Sequence, residues 1–315
     1  MLDKTSLFSL FLFVTSASYA ADKIGISQII SNPALDQNLK GIQETLAKNG
    51  IKKENIEFQN AQGNPTLAAG IARHFIQDKT VIIAIGTGSA QAFLPFQQQK
   101  KFSLVFTAIT NPREAGLVKN LTKPEANFTG ISDHVSAQKQ LLFMKKVLGK
   151  TKLRVGVLYN PSDSNSLSAL QDTEAAGIQE GVTILKVSAT KLADMLAATQ
   201  KLVKDVDVLF INNDNLALSA VSKLVKIGEK AQKAVFSSDI DTIQLGVLGA
   251  LGPDQYDLGR QTAEIALSLL KGKAISSIPV LYPEVVVQSL NIGQAKKLGL
   301  ALSEDVLKTS VLVDS

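Results

Sequence analysis

The sequence predicts an α/β protein of two similar lobes, each a Rossmann-like parallel sheet with helices packed on it. Three observations carry that prediction. Short apolar runs rich in β-branched residues, of which Val81–Ile85 (VIIAI) is the cleanest, alternate with stretches of helical spacing. That is the pattern of strands buried on both faces and joined by crossover helices. The series then starts again: Arg154-Val155-Gly156-Val157 echoes Lys23-Ile24-Gly25-Ile26, and three further strands follow, each about 130 residues after its counterpart. Finally, 315 residues at 45% apolar and 19% charged are enough for two globular cores of ordinary size.

In chain order, residues 1–20 come first. Lys4, an apolar stretch from Leu7 to Val14 and the ending Ser18-Tyr19-Ala20 form a secretory signal peptide, with small residues where a signal peptidase reads. The mature protein is expected to start at Ala21 or Asp22 and to be exported. The first lobe then has strands over Lys23–Ile26, Asn55–Phe58, Val81–Ile85, Phe102–Phe106 and Asn127–Ile131. Its helices cover Leu35–Lys48 and Pro65–Asp78, the second opening on proline, which suits a first helical turn. The second lobe has strands over Arg154–Leu158, Thr183–Val187, Val206–Ile211 and Ala234–Phe236. A further helix over Asp257–Lys271 and a strand over Glu284–Ser289 close the chain.

Composition excludes several chemistries. There is no cysteine, hence no disulfide, thiolate or lipidated cysteine, and two histidines, His74 and His134, make no metal cluster. The net charge of +5 is spread over pairs such as Lys52-Lys53 and Lys100-Lys101, so no nucleic-acid surface is expected. Gly86-Thr87-Gly88 lacks the third glycine of a dinucleotide fingerprint and no P-loop occurs, so no cofactor is expected. With no tryptophan and 5% aromatic residues, stacking platforms for sugars are scarce.

In open parallel sheets ligands sit beyond the carboxyl ends of the strands. Here those ends carry Ser27 and Gln28, Asn60 and Gln62, Thr87 and Ser89, and Thr110 and Asn111 in the first lobe. The second offers Asn160, Asp163, Asn165 and Ser166, then Asn213, Asp214 and Asn215, then Ser237, Ser238 and Asp239. Neutral donors hold a carboxylate and an aspartate holds an ammonium, so a cleft with hydroxyls on one side and aspartates on the other suits a zwitterionic amino acid. The candidate ligand residues are Gln28, Asn60, Gln62, Thr87, Ser89, Thr110, Asn165, Ser166, Asp214, Asn215 and Asp239. Each serves equally well as a turn or cap residue. Two alternatives stay open: an exported hydrolase using Ser89 or the aspartates, although Gly86–Ala90 does not spell G-x-S-x-G, and a ligand-sensing lobe for a signalling partner.

A set of ordered stretches resembles the substrate-binding proteins of an ABC transporter family that includes tryptophan and tyrosine uptake proteins. They are Asn32–Asp36, Asn60–Gly63, Ser89–Ala92, Val105-Phe106 with Ala115–Val118, Thr129-Gly130 with Ser132-Asp133, Leu158–Asn160 with Asn165-Ser166, Asp214-Asn215, and Leu258-Gly259 with Gln261-Thr262. The resemblance spans most of residues 24–300. It implies a type I periplasmic-binding-protein fold with a multi-crossing hinge. Lobe 1 would comprise residues 22–132 and 252–278, and lobe 2 residues 133–251 and 279–315. It further implies a monomeric periplasmic protein, an amino-acid-like ligand and a permease in the inner membrane as partner. By the same resemblance, Thr87, Ser89 and Thr110 would grip the ligand, Asp214 or Asp239 would meet its ammonium, and Asn165 and Ser166 would face the cleft. The chain departs from the family pattern at Gly88, where proline is usual, Asn111 (aspartate), Asp163 (glutamate) and Asn32 (histidine).

Overall fold

The computed structural model describes residues 23–99, 101–124 and 126–314; the signal peptide expected over residues 1–20 lies outside them. Two sheets organise the chain. The first holds β1 (Ile24–Gln28), β2 (Ile56–Asn60), β3 (Val81–Ile85), β4 (Ser103–Ile109) and β5 (Phe128–Ser132) in the order β2-β1-β3-β4-β5. Every pairing in it is parallel. β1, β3 and β5 are buried along their whole length, which is why their sequences are continuous apolar runs rather than alternating ones.

Helices α1 (Pro33–Lys48) and α2 (Pro65–Asp78) start from asparagine caps with proline next in the chain, the arrangement that satisfies orphan N–H groups and pre-sets the first turn. Short α3 (Thr87–Gln91) follows β3 directly.

The second sheet holds β6 (Arg154–Tyr159), β7 (Thr183–Ser188), β8 (Val208–Ile211), β9 (Ala234–Ser237), β10 (Gly249–Pro253), β11 (Val286–Asn291) and β12 (Val311–Val313), in the order β12-β11-β10-β9-β8-β6-β7. Its helices are α4 (Ala137–Leu148), α5 (Ser164–Glu180), α6 (Leu192–Leu202), α7 (Asn215–Leu218), α8 (Val221–Lys230), α10 (Ile292–Lys297) and α11 (Glu304–Thr309), while α9 (Gln255–Leu270) belongs to the first lobe. α4 packs beside α5, and α6 beside α8. The expectation of wholly parallel sheets needs one correction: β11 runs antiparallel to β10. β10 leads into the hinge, and β11 re-enters the sheet from that same end, so it must run the opposite way.

The chain passes between the sheets three times, after β5, after β10 and after Leu281. On the second pass it forms α9, which lies on α1 so closely that a Cβ on Gly41 would meet the Tyr256 carbonyl and one on Gly259 the Asn38 carbonyl. On the third, Ile278 and Val280 join the first core, and Leu281 bridges to Ile131 with its N–H on the Gly130 carbonyl at 3.0 Å. The first and third segments therefore lie side by side at the hinge.

Candidate ligand-binding cleft

The carboxyl ends of β1, β2 and β3 face those of β6, β7 and β8 across the space between the lobes. The turns beyond them enclose a cavity of about 290 Å³. The first lobe lines it with Ile29, Ile30, Gly63, Pro65, Gly88 and Gln91, and the second with Asn160, Ser162, Asp163, Thr190, Asn215 and Leu216. The lining is thus apolar at Ile29, Ile30, Pro65 and Leu216 and otherwise amide, hydroxyl and one carboxylate, apart from two glycines. Gly86 sets the shape of the first-lobe wall. Its φ of 87° is open to glycine, and a Cβ there would stand 2.6 Å from Ile29 Cγ2.

Asp163 is the one ionisable side chain among these lining residues. It caps α5: its Oδ1 accepts from the Asn165 N–H at 2.9 Å, and its Oδ2 accepts from Asn215 Nδ2 at 3.0 Å. Burial raises its pKa; the Asn215 hydrogen bond opposes that rise and the neighbouring Asp214 charge adds to it. Asn215 Oδ1 in turn accepts from Asn32 Nδ2 of the first lobe at 3.4 Å.

Deeper in, the lobes are hydrogen-bonded to one another. Thr110 N–H donates to Asn165 Oδ1 at 3.1 Å, and Asn213 Nδ2 donates to the Thr110 hydroxyl at 2.8 Å. That hydroxyl passes its own proton to Asp133 Oδ1 at 2.9 Å. Nearer the cavity, Gln91 Nε2 reaches Ser164 Oγ at 3.1 Å. Asp133 is buried, and its burial raises its pKa against the Thr110 hydrogen bond.

The residues expected from the sequence are placed differently from one another. Asn215 lines the cavity, and Thr110 and Asn165 form the contact between lobes. Thr87 is buried beside that contact, near Asn111 and Ser164, with its hydroxyl free of any protein partner. Ser89, Gln28, Asn60, Gln62, Ser166 and Asp214 are engaged within their own lobes. The Ser89 hydroxyl bonds Ser27 Oγ at 2.6 Å and the Ser27 carbonyl at 2.9 Å. Gln28 donates to Asp36 at 2.7 Å, and Asn60 accepts from the N–H of exposed Gln62 at 2.7 Å. Ser166 donates to Asp214 Oδ2 at 2.6 Å, which also accepts from the Asn160 N–H at 2.7 Å, while Asp214 Oδ1 caps α7 at Ala217.

Asp239 is buried and is not among the residues that line the cavity. One oxygen accepts from the Asp241 N–H at 2.9 Å, and the other has no protein partner. Burial, then the Asp241 charge, pushes its carboxyl up to about 8, against the pull of the Asp241 and Ala34 backbone N–H groups. Asp241 itself is pushed up to about 6 by burial and then by Asp254.

Asp163, named among the strand-end residues but not among the candidate ligand residues, lines the cavity. Sequence reasoning passed over the apolar part of the lining, whose signal was Ile29-Ile30 continuing past the end of β1. No cluster of metal-ligating side chains exists among the described residues, and none of their helices is long and apolar enough to cross a membrane.

Two lobes on mostly parallel sheets, three hinge segments and a cavity at facing strand ends define a ligand receptor of the type I periplasmic-binding-protein fold. The chain belongs to the ABC transporter substrate binding protein family, whose model matches residues 23–313, and it is the substrate-binding protein of an ABC transporter. It is 33% identical over 290 residues to the "Tyrosine-binding protein" of Clostridioides difficile strain R20291, covering 90% of this chain and 83% of that one. A Streptococcus pneumonia ABC domain solved in complex with L-Trp superimposes with a TM-score of 0.88 at 29% identity, covering 93% of this chain and 100% of that one. The ligand-free, open structure of a Clostridium difficile substrate-binding protein with adhesive properties gives 0.70 at 32% identity, covering 93% and 99%.

Proposed function

We propose that this protein is a monomeric periplasmic receptor that binds one amino acid with an aromatic side chain between its lobes and delivers it, chemically unchanged, to an inner-membrane ABC permease. The observation that carries this reading is the cavity itself: a single carboxylate, Asp163, shares the lining with the apolar Ile29, Ile30, Pro65 and Leu216, with no lysine or arginine among the lining residues. Asp163 meets the ligand ammonium. Gln91, Asn160, Ser162 and Thr190 supply neutral donors for its carboxylate, and Ile29, Ile30, Pro65 and Leu216 cover its side chain. At about 290 Å³ the space sits at the small end of ligand sites, sized for one amino acid. The relatives named for tyrosine and solved with L-Trp support the aromatic class.

Isothermal titration of refolded, ligand-stripped protein with L-tyrosine, L-tryptophan and L-phenylalanine tests this, alongside their deaminated analogues. One-to-one binding of at least one intact amino acid is expected, with its deaminated analogue weaker by about tenfold or more. Mass spectrometry should recover the ligand unaltered. Absence of binding across the amino acids, or equal affinity for the deaminated forms, overturns the reading.

A further inference from the structure

On the outer face of the second lobe, α6 and α8 lie side by side and leave a groove of about 770 Å³ between them. Its floor is Leu196, Val203, Ile227 and Ala231, and its walls carry Lys204, Lys223, Lys226, Lys230 and Lys233. The two stripes come straight from helical spacing. Lys223, Lys226 and Lys230 share one side of α8 while Val221, Leu224, Val225 and Gly228 are buried beneath it. None of the five lysines is in an ion pair or side-chain hydrogen bond among the described residues. Elsewhere on the surface, lysines such as Lys23, Lys146 and Lys186 are paired with acids.

We propose that the α6–α8 groove is a docking surface for an anionic phospholipid bilayer. Charge complementarity selects the occupant. The ammonium groups run the length of the groove: Lys223 to Lys230 span about 10 Å of helix, and Lys204 and Lys233 flank them. A ligand with one anionic head needs charge at one end only, whereas an array of headgroups meets all five lysines. The apolar floor accepts chain segments between the heads, as on interfacial basic helices. The face also leaves the cleft free. Both helices follow strands whose carboxyl ends face the cleft, so they run away from it, and Lys204, Lys230 and Lys233 lie toward the far end. A receptor held in this way meets its membrane partner by diffusion in two dimensions.

Co-sedimentation of the protein with vesicles tests the proposal. Binding is expected to mixed phosphatidylglycerol–phosphatidylcholine vesicles and not to pure phosphatidylcholine, and it should fall as salt rises. The triple substitution Lys223→Gln, Lys226→Gln and Lys230→Gln should weaken it by about tenfold or more. A charge-matched control, Lys48→Gln, Lys52→Gln and Lys53→Gln, should keep it, and amino-acid binding should be unchanged in both. Failure to bind the anionic vesicles, as for a groove that serves an acidic protein, overturns the proposal. So does an equal loss in the control triple, or full binding by the groove triple.

Discussion

The Asn215 amide donates to the Asp163 carboxylate over 3.0 Å and fixes it in the lining of the cavity. Asp163→Asn keeps a good helix cap for α5 and removes the negative charge. Binding of a zwitterionic ligand should weaken by about 1.5–3 kcal/mol, the scale of a hydrogen bond to a charged group, while the unliganded melting temperature moves little. Titration calorimetry and a thermal scan check the two halves separately. Unchanged affinity would place the ammonium elsewhere in the cleft.

Thr110 joins the lobes through its hydroxyl, which accepts from Asn213 and donates to Asp133. Thr110→Val keeps the shape and strands both partners, at about 1–3 kcal/mol for a buried polar group left unpaired. The closed arrangement loses that stabilisation. Small-angle scattering should show a larger radius of gyration for the variant at sub-saturating ligand, with weaker affinity. An identical scattering profile at every ligand concentration would remove Thr110 from the closure.

Gly86 has φ 87°, and a Cβ there would press on Ile29. Gly86→Ala should therefore destabilise the fold by about 1–3 kcal/mol and weaken ligand binding as well, because Ile29 lines the cavity. Chemical denaturation gives the first quantity. A variant as stable as the parent would mean the turn relaxes without cost.

Asp239 predicts a pH dependence. Its folded pKa, about 8 through burial and then the Asp241 charge, lies above the ordinary unfolded carboxylate value. Below that unfolded value both states hold the proton. Between it and about 8 the folded state binds more protons than the unfolded one, so stability falls as pH rises across this window. Asp239→Asn should flatten the fall in melting temperature from about pH 5 to pH 8. Some slope should remain from Asp241, pushed to about 6 by burial and Asp254. A variant with the parent's slope would clear Asp239 of the effect.

Most of the fold was legible in the sequence because doubly buried strands write themselves as unbroken apolar runs: Val81–Ile85 and Val208–Ile211 are buried throughout. β10 was not legible. Its sequence, Gly249-Ala250-Leu251-Gly252-Pro253, has no β-branched residue, and it is a strand because the hinge places it between β9 and β11. The cleft was legible as a region. The turns after the strands do enclose the cavity, yet which side chain faces it depends on rotamers and on how the lobes meet. Ser89 and Ser166 stand at the expected strand ends and turn their hydroxyls to Ser27 and Asp214. The apolar half stayed hidden because a search for polar strand ends passes over Ile29 and Leu216. Asn32, Gly88 and Asp163, where the sequence departs from the pattern its resemblance implies, stand at or beside the cavity.

The three segments that join the lobes, the first and third of them pinned where Leu281 pairs with Ile131, restrict what the molecule can signal. One connection would act as a swivel, and the lobes could explore many relative poses. Three connections behave as a single leaf that bends about one axis, so occupancy becomes one angle. A partner that touches both lobes then needs no contact with the ligand to know that it is there. It measures a distance between two rigid surfaces, and the same reading serves whatever side chain the cavity has been shaped to hold.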